Sequence, residues 1–281
     1  GPVVYYPDAS APGGNGLTEK WTLDNFGHDP FAKNAMIDTA ENASERFKIS
    51  GAELNEVTLA RFAQYQAALA DDRAFQRRYM VEAPLSDSGF RRQTGALAAD
   101  EGIFPTSAEG LAKLKPVKPN GTHTFGTQTH PADGNAGMIV TTREMARELS
   151  ANPAIEVELL GFGQARVEKG YMPLAPVPAA QTALKQAGLS IKDVDAVKSH
   201  NPFAANDIAF ARATGFPLEK MNNYGCSLIW GHPQGPTGLR SVIELIEELS
   251  LRGGGLGLFT GCAAGDSGMA LVLRVSQAGR R

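Results

Sequence analysis

The chain has 281 residues, 42% of them hydrophobic and 20% charged, which is room for two ordinary globular domains or one large one. A formal net charge of -3 argues against a broad electrostatic footprint for nucleic acid. No apolar run approaches the roughly 18 residues of a membrane span, and no basic stretch followed by an apolar one opens the chain as a secretory signal. The two cysteines, Cys226 and Cys262, lie far apart without a CxxC spacing, and the five histidines are scattered. That pattern suits a reducing, cytoplasmic compartment and gives neither a disulfide framework nor a structural zinc site.

In chain order, residues 1–33 ("GPVVYYPDASAPGGNG" onward) are turn-rich and read as loop, as if entered from a segment upstream. Ala35, Met36, Thr39, Ala43 and Phe47 recur at helical spacing and predict a helix over 34–47. Ser50 and Glu53 form a capping box that opens a helix to about Ala70, with Leu54, Val57, Leu59, Phe62 and Tyr65 on or near its apolar side. Residues 76–106 read as polar and irregular, and 105–132 as an extended surface segment. "GMIVTT" (137–142) reads as a strand and the following "TREMARELSAN" as a helix. "IEVELLGFGQARV" (155–167) reads as a long strand with a glycine bend, and "PAAQTALKQAG" as a helix stopped by Gly188. "VDAVKSH" predicts a strand ending on His200, and "NPFAANDIAFARATG" a helix ending at Gly215. "LRSVIELIEELSLRGG" carries Leu239, Val242, Ile243, Ile246 and Leu249 on one helical face. "GLGLFTG" and "GMALVLRV" close the chain as paired strands. Alternating strands and helices imply a layered α/β domain, and the close antiparallel pair at the end implies a mixed sheet.

Three residues in this second half stand at strand or turn ends: His200, His232 in "GHPQGPTG", and Cys262 in "GCAAGDSG". Single histidines after strands are most often structural, and lone cysteines are most often buried and inert; Cys226, next to "SLIW", reads as core. "RGGGLG" precedes a strand instead of opening a helix, so it is not a dinucleotide fingerprint. A thiol with two imidazoles, however, is the composition for proton transfer or thiolate chemistry.

The combination resembles the thiolase family over about residues 34–275. "NNYGCSLIWGHPQGPTGLRSVIEL" is similar to the family's Gly-His-Pro segment, and "GCAAGDSGMALVL" to its C-terminal cysteine motif. "AVKSHNPFAAND" sits where thiolases carry Asn-Glu-Ala-Phe, and "TAENASERFKISGAELNEVTLARFAQYQAAL" resembles the loop-domain helices. The resemblance implies the layered αβαβα thiolase fold with mixed sheets. It places a loop domain and its connections at 1–133, the last strand and helix of the N-terminal domain at 134–154, and the C-terminal domain at 155–281. It gives His232 the role of activating a nucleophilic cysteine and binding the thioester oxygen. Cys262, projected from a turn, becomes the acid/base at the substrate α-carbon. Ala264 and Gly265 belong to a turn, Ala264 to Gly268, that supplies a backbone oxyanion donor. Phe203 would line the pocket, and Thr129 falls where a serine touches the CoA pantetheine.

Two departures stand out. His200 replaces the family asparagine, as in sterol-carrier-protein-type thiolases, and would donate directly to the oxyanion; Asn201-Pro202 after it is unusual even there. The Cys-x-Gly turn reads Cys-Ala-Ala. Neither cysteine fits the family's acylated nucleophile, which the resemblance therefore puts on an upstream N-terminal segment or subunit. The implied activity is CoA-dependent cleavage of a 3-oxoacyl-CoA or the reverse Claisen condensation, of the β-oxidation kind. CoA is a substrate, and no metal or redox cofactor is required. Implied partners are acyl-CoA and CoA, a second copy in a homo-dimer or tetramer, and a small zinc-ribbon/OB-fold subunit. A non-catalytic acyl-CoA-binding subunit and a condensing enzyme of the same fold are the other readings. Retention of both His232 and Cys262 favours the thiolase.

Overall fold

The computed structural model describes residues 3–277, the side chains of Trp21 and Thr22 apart; the ends of the spans 1–33 and 155–281 lie outside them. The chain opens with a hairpin, β1 (Val3–Tyr6) and β2 (Leu17–Lys20), followed by α1 (Trp21–Gly27). The loop expected there is only the hairpin's connection: the β-branched and aromatic "VVYY" finds an antiparallel partner past the Pro-Gly-Gly turn. Helices α2 (Met36–Phe47) and α3 (Gly51–Ala68) follow. The capping box is present: the Glu53 N–H donates to Ser50 Oγ at 3.2 Å and the Ser50 N–H to Glu53 Oε2 at 2.9 Å. Helix α3 stops two residues early, before α4 (Ala70–Arg73), a kinked turn in which Asp71 and Asp72 have positive φ.

The irregular stretch contains a second hairpin, β3 (Ala83–Ser86) with β4 (Gln93–Leu97). Its turn is closed by Asp87, whose carbonyl and carboxylate accept from the N–H groups of Phe90 and Arg91. Residues 105–132 are not simply extended: they form α5 (Ala108–Ala112) and a 3-10 turn at Phe125–Thr127. "GMIVTT" pairs with no strand among the described residues; Ile139 is 75% exposed and Val140 68%. Its β-branched run suits a strand, but a ladder needs a partner edge, and no described strand pairs with it. The helix after it is α6 (Arg143–Leu149).

The remaining elements are β5 (Ile155–Arg166), α7 (Pro176–Gln186), β6 (Ala196–His200), α8 (Ala204–Thr214), α9 (Ser227–Trp230), α10 (Gly235–Arg252), β7 (Gly255–Ala263) and β8 (Ser267–Gln277), in the expected order except that the short α9 was not foreseen. They build one mixed sheet of order β5-β8-β7-β6, parallel only between β6 and β7. Alternate strand residues face opposite layers. Val197, Leu258, Ala270 and Val272 pack on α7 and α8 through Ala179, Ala183 and Phe210. Ala196, Leu273 and Val275 pack on α10 through Val242, Leu245 and Leu249. The sheet is thus covered on both faces, an α/β/α sandwich of the layered kind expected. Helix α3 packs through Leu54, Val57 and Tyr65 on Ala204, Ile208 and Ile229, which joins the loop helices to the end of the sheet where β6 stops.

Candidate active site

The parallel pairing of β6 with β7 sets His200 opposite Gly261. A β-carbon on Gly261 would lie 3.0 Å from that of His200, so the glycine leaves room for the imidazole. His232 arrives from the other side. The single turn α9 is ended by Gly231 at φ 93°, where a side chain would meet Ala132 at 2.8 Å and His130 at 3.0 Å. The His232 N–H then donates to the His130 carbonyl at 2.8 Å. The two rings stack, 4.3 Å between centroids and 25° between planes. Each Nδ1 meets a hydroxyl: Ser227 Oγ at 2.8 Å from His200 and Thr237 Oγ1 at 2.7 Å from His232. Among the described residues, neither Nε2 has a protein partner. Burial lowers the pKa of His232 to about 4. Burial, then the neighbouring His232, drives that of His200 well below the ordinary value. Both rings are therefore neutral at pH 7, each with a single N–H to give.

Cys262 does not sit in the turn. It lies within β7, paired with Gly268, and the turn proper is Ala264–Asp266 with Gly265 and Asp266 at positive φ. The hairpin ladder runs further than the glycine-rich sequence suggests because Gly268 and Ser267 still pair across it. Cys262 is one residue beyond the strand partner of His200 and is 7% exposed, clustered with Phe203, Met172 and Ala40. The Asn206 amide reaches it, Nδ2 to Sγ 3.4 Å. Burial pushes the thiol up to about 12, with Asn206 pulling the other way. The thiol is thus a proton donor at rest.

The supporting residues are arranged around this centre. Phe203 is buried, its ring edge-on to His123 at 5.5 Å. Thr129 bonds the segment before α8: its N–H donates to Pro202 O at 2.7 Å and its hydroxyl to Ser227 O at 2.5 Å, so only its oxygen lone pairs are left for a ligand. The Gly265 N–H is already taken by Asp29 Oδ2 at 2.7 Å, which leaves Ala264, exposed beside it, as the turn's candidate oxyanion donor. Cys226 is core as expected: 1% exposed, its thiol raised to about 11 by burial and by Asp207.

Sequence reasoning missed the polar layer beneath the rings. Asp207 accepts from Arg61 Nε at 2.8 Å, Ser199 Oγ at 2.6 Å, Asn201 Nδ2 at 2.7 Å and Asn222 Nδ2 at 3.0 Å. Lys198, on β6, is buried with its ammonium on Glu244 Oε2 at 2.9 Å. A lysine inside a short buried strand and an arginine on the packed face of α3 were the available signals, since such residues are rarely buried unpaired.

The chain matches the thiolase N-terminal domain model over residues 11–144 and the thiolase C-terminal domain model over residues 154–275. It belongs to the thiolase family. Peroxisomal 3-ketoacyl-CoA thiolase A of Mus musculus is 36% identical over 220 residues, 76% of this chain and 51% of that protein. Beta-ketothiolase BktB of Cupriavidus necator is 31% identical over 248 residues, 87% of this chain and 61% of that protein. The acetyl-CoA acetyltransferase structure of Bacillus anthracis superposes with a TM-score of 0.86 at 27% identity, covering 97% of this chain and 68% of the other. Human mitochondrial 3-ketoacyl-CoA thiolase in complex with CoA gives 0.80 at 26%, with 97% and 67% covered. The chain spans about half the length of the first of these relatives. These are enzymes by name, and the family membership lends no support to a non-catalytic subunit. They include peroxisomal and mitochondrial proteins. Among the described residues, no helix is long and apolar enough to cross a membrane.

Proposed function

We propose that this chain supplies the proton-transfer and oxyanion-binding half of a thiolase centre acting on a 3-oxoacyl-CoA. The observation that carries the reading is the stacked pair of neutral imidazoles, each with a hydroxyl at Nδ1, with the buried protonated thiol of Cys262 one residue beyond the strand partner of His200. In cleavage, a thiolate attacks C3, the C2–C3 bond breaks, and its electron pair goes to C2 as an enolate of the departing acyl-CoA. Cys262 Sγ–H protonates C2, and the resulting thiolate takes the proton of incoming CoA as that attacks the acyl-cysteine. His200 and His232 donate from Nε2 to the oxygens that gain charge. Each such donor is worth about 3–4 kcal/mol in a water-poor site.

The attacking thiolate needs a third cysteine. The chain's only others are Cys262, used for the proton, and Cys226, sealed in the core, so the nucleophile comes from a segment or subunit outside these 281 residues. CoA enters as substrate, and these steps call for no metal or redox cofactor. We place the enzyme in the cytoplasm, in keeping with its two free cysteines, and working as a dimer or tetramer, with a small zinc-ribbon/OB-fold subunit as a candidate partner by family resemblance.

Cys262→Ser in the whole enzyme tests the division of labour. Cleavage of a 3-oxoacyl-CoA is expected to fall by about 10²–10⁴-fold, the usual contribution of a positioned acid/base. Acyl transfer to the nucleophile from a simple acyl-CoA, read by mass spectrometry, is expected to persist. Cleavage at the unmodified rate overturns the assignment.

A further inference from the structure

We propose that Ser227 sets the tautomer of His200: its hydroxyl donates to Nδ1 and so keeps the single proton of the neutral ring on Nε2. Asp207 is ion-paired with Arg61 at 2.8 Å and can only accept, so the Asn201 group 2.7 Å from it is the NH2. Asn201 Oδ1 must then point the other way, where it accepts from the Leu228 N–H at 3.1 Å and lies 3.2 Å from Ser227 Oγ. The Asn201 N–H donates into Ser227 Oγ at 3.1 Å. Ser227, fully buried, has one proton and two acceptors within reach: Asn201 Oδ1 at 3.2 Å and His200 Nδ1 at 2.8 Å. Oδ1 already holds the Leu228 N–H. Nδ1 has no other partner among the described residues. The shorter contact and the otherwise empty acceptor both place the proton toward the ring.

The alternative differs by one hydroxyl rotation and one ring tautomer. With Nδ1–H donating to Oγ and Oγ–H to Oδ1, every local group is again satisfied, but Nε2 becomes a bare lone pair that repels an oxyanion. Ser227 is therefore a positioning residue, acting through His200. The unusual Asn201-Pro202 pair gains a physical role: Asn201 braces the serine from both its N–H and its side chain, while Pro202, which lacks an N–H, turns its carbonyl to Thr129.

The consequence for catalysis rests on the reading of His200 as an oxyanion donor, but the tautomer is measured without turnover. Two-bond nitrogen–proton correlation on the whole protein, labelled with 15N at histidine alone, reports each ring; His200 is assigned by the signal lost in His200→Gln. The expected wild-type spectrum has an unprotonated Nδ1 and a protonated Nε2. Ser227→Ala is expected to move the proton population toward Nδ1, with the other four rings unchanged. A protonated Nδ1 in the wild type overturns the proposal, as does a folded Ser227→Ala variant with an unaltered tautomer. An Nε2–H that depends on Ser227, with turnover indifferent to His200→Gln, upholds the tautomer assignment and removes His200 from the proposed chemistry.

Discussion

Asp29 shows how a single side chain outside every recognisable motif shapes the site. Its buried carboxylate accepts three N–H groups, from Phe31 at 2.8 Å, Ala32 at 2.7 Å and Gly265 at 2.7 Å. Burial pushes its pKa up, but those donors outweigh burial and leave it lowered overall. It thereby ties the segment before α2 to the turn after Cys262. Asp29→Ala orphans three part-buried donors and is expected to destabilise the fold by about 1–3 kcal/mol and lower turnover together; a urea midpoint equal to the wild type's would show the turn is held by other means. His200, His232 and Cys262 were legible because each stands in a short local pattern with its shaping glycine or proline. Asp29 was not, because its partner is 236 positions away. Asn206 and Ser227 were hidden for a similar reason: Asn206 reads as an ordinary helix residue and Ser227 as part of the apolar "SLIW" stretch, and only folding sets them against Cys262 and His200.

At the level of elements, α7 lies close on β5 because small residues meet there. Ala179, Ala180 and Ala183 form the helix face, and the strand answers with Gly161 and Gly163. A β-carbon at Gly163 would fall 2.1 Å from the Ala179 carbonyl oxygen and 2.7 Å from the Ala183 N, which are backbone atoms that cannot swing aside. Gly163→Ala is expected to push helix from strand and destabilise by about 1–3 kcal/mol, the usual overpacking range, with a lower thermal midpoint. A midpoint matching the wild type would mean that β5, an edge strand, yields freely. The same strand marks how far elements could be read. Periodic apolar faces revealed α2, α3, α7, α8, α10 and β5 to β8, since burial on one or both faces leaves a pattern. The hairpins β1–β2 and β3–β4 are exposed on nearly every residue, so no burial pattern marks them. Residues 137–142 carry the pattern of a strand but lack a described partner, which propensity alone cannot foresee.

Across the whole molecule, buried neutral imidazoles couple stability to pH. His123, fully buried between Ser44 and Thr127, has its pKa lowered to about 4 by burial, the Glu41 carboxylate pulling the other way. His232 is lowered to about 4 and His200 is lowered too, both chiefly by burial. Unfolded, each ring takes up a proton near pH 6.5; folded, each refuses it until far lower pH. Below pH 6.5 the unfolded state therefore binds more protons, and stability falls as pH falls, by up to about 1.4 kcal/mol per pH unit for each ring. Asp266 and Glu248, whose pKa values burial raises, work in the opposite sense. Burial lowers His130 as well, so four rings act together in the window from about pH 6.5 to about pH 5. Urea midpoints are expected to drop steadily across it at constant m, and His123→Gln, which removes one ring away from the His200–His232 pair, is expected to make the slope shallower by that ring's share. The two stacked rings keep their neutral, single-donor state across that window. Flat midpoints from pH 7 to pH 5 would mean that the rings titrate alike in both states, and that neutrality of His200 and His232 has to be secured by something other than burial.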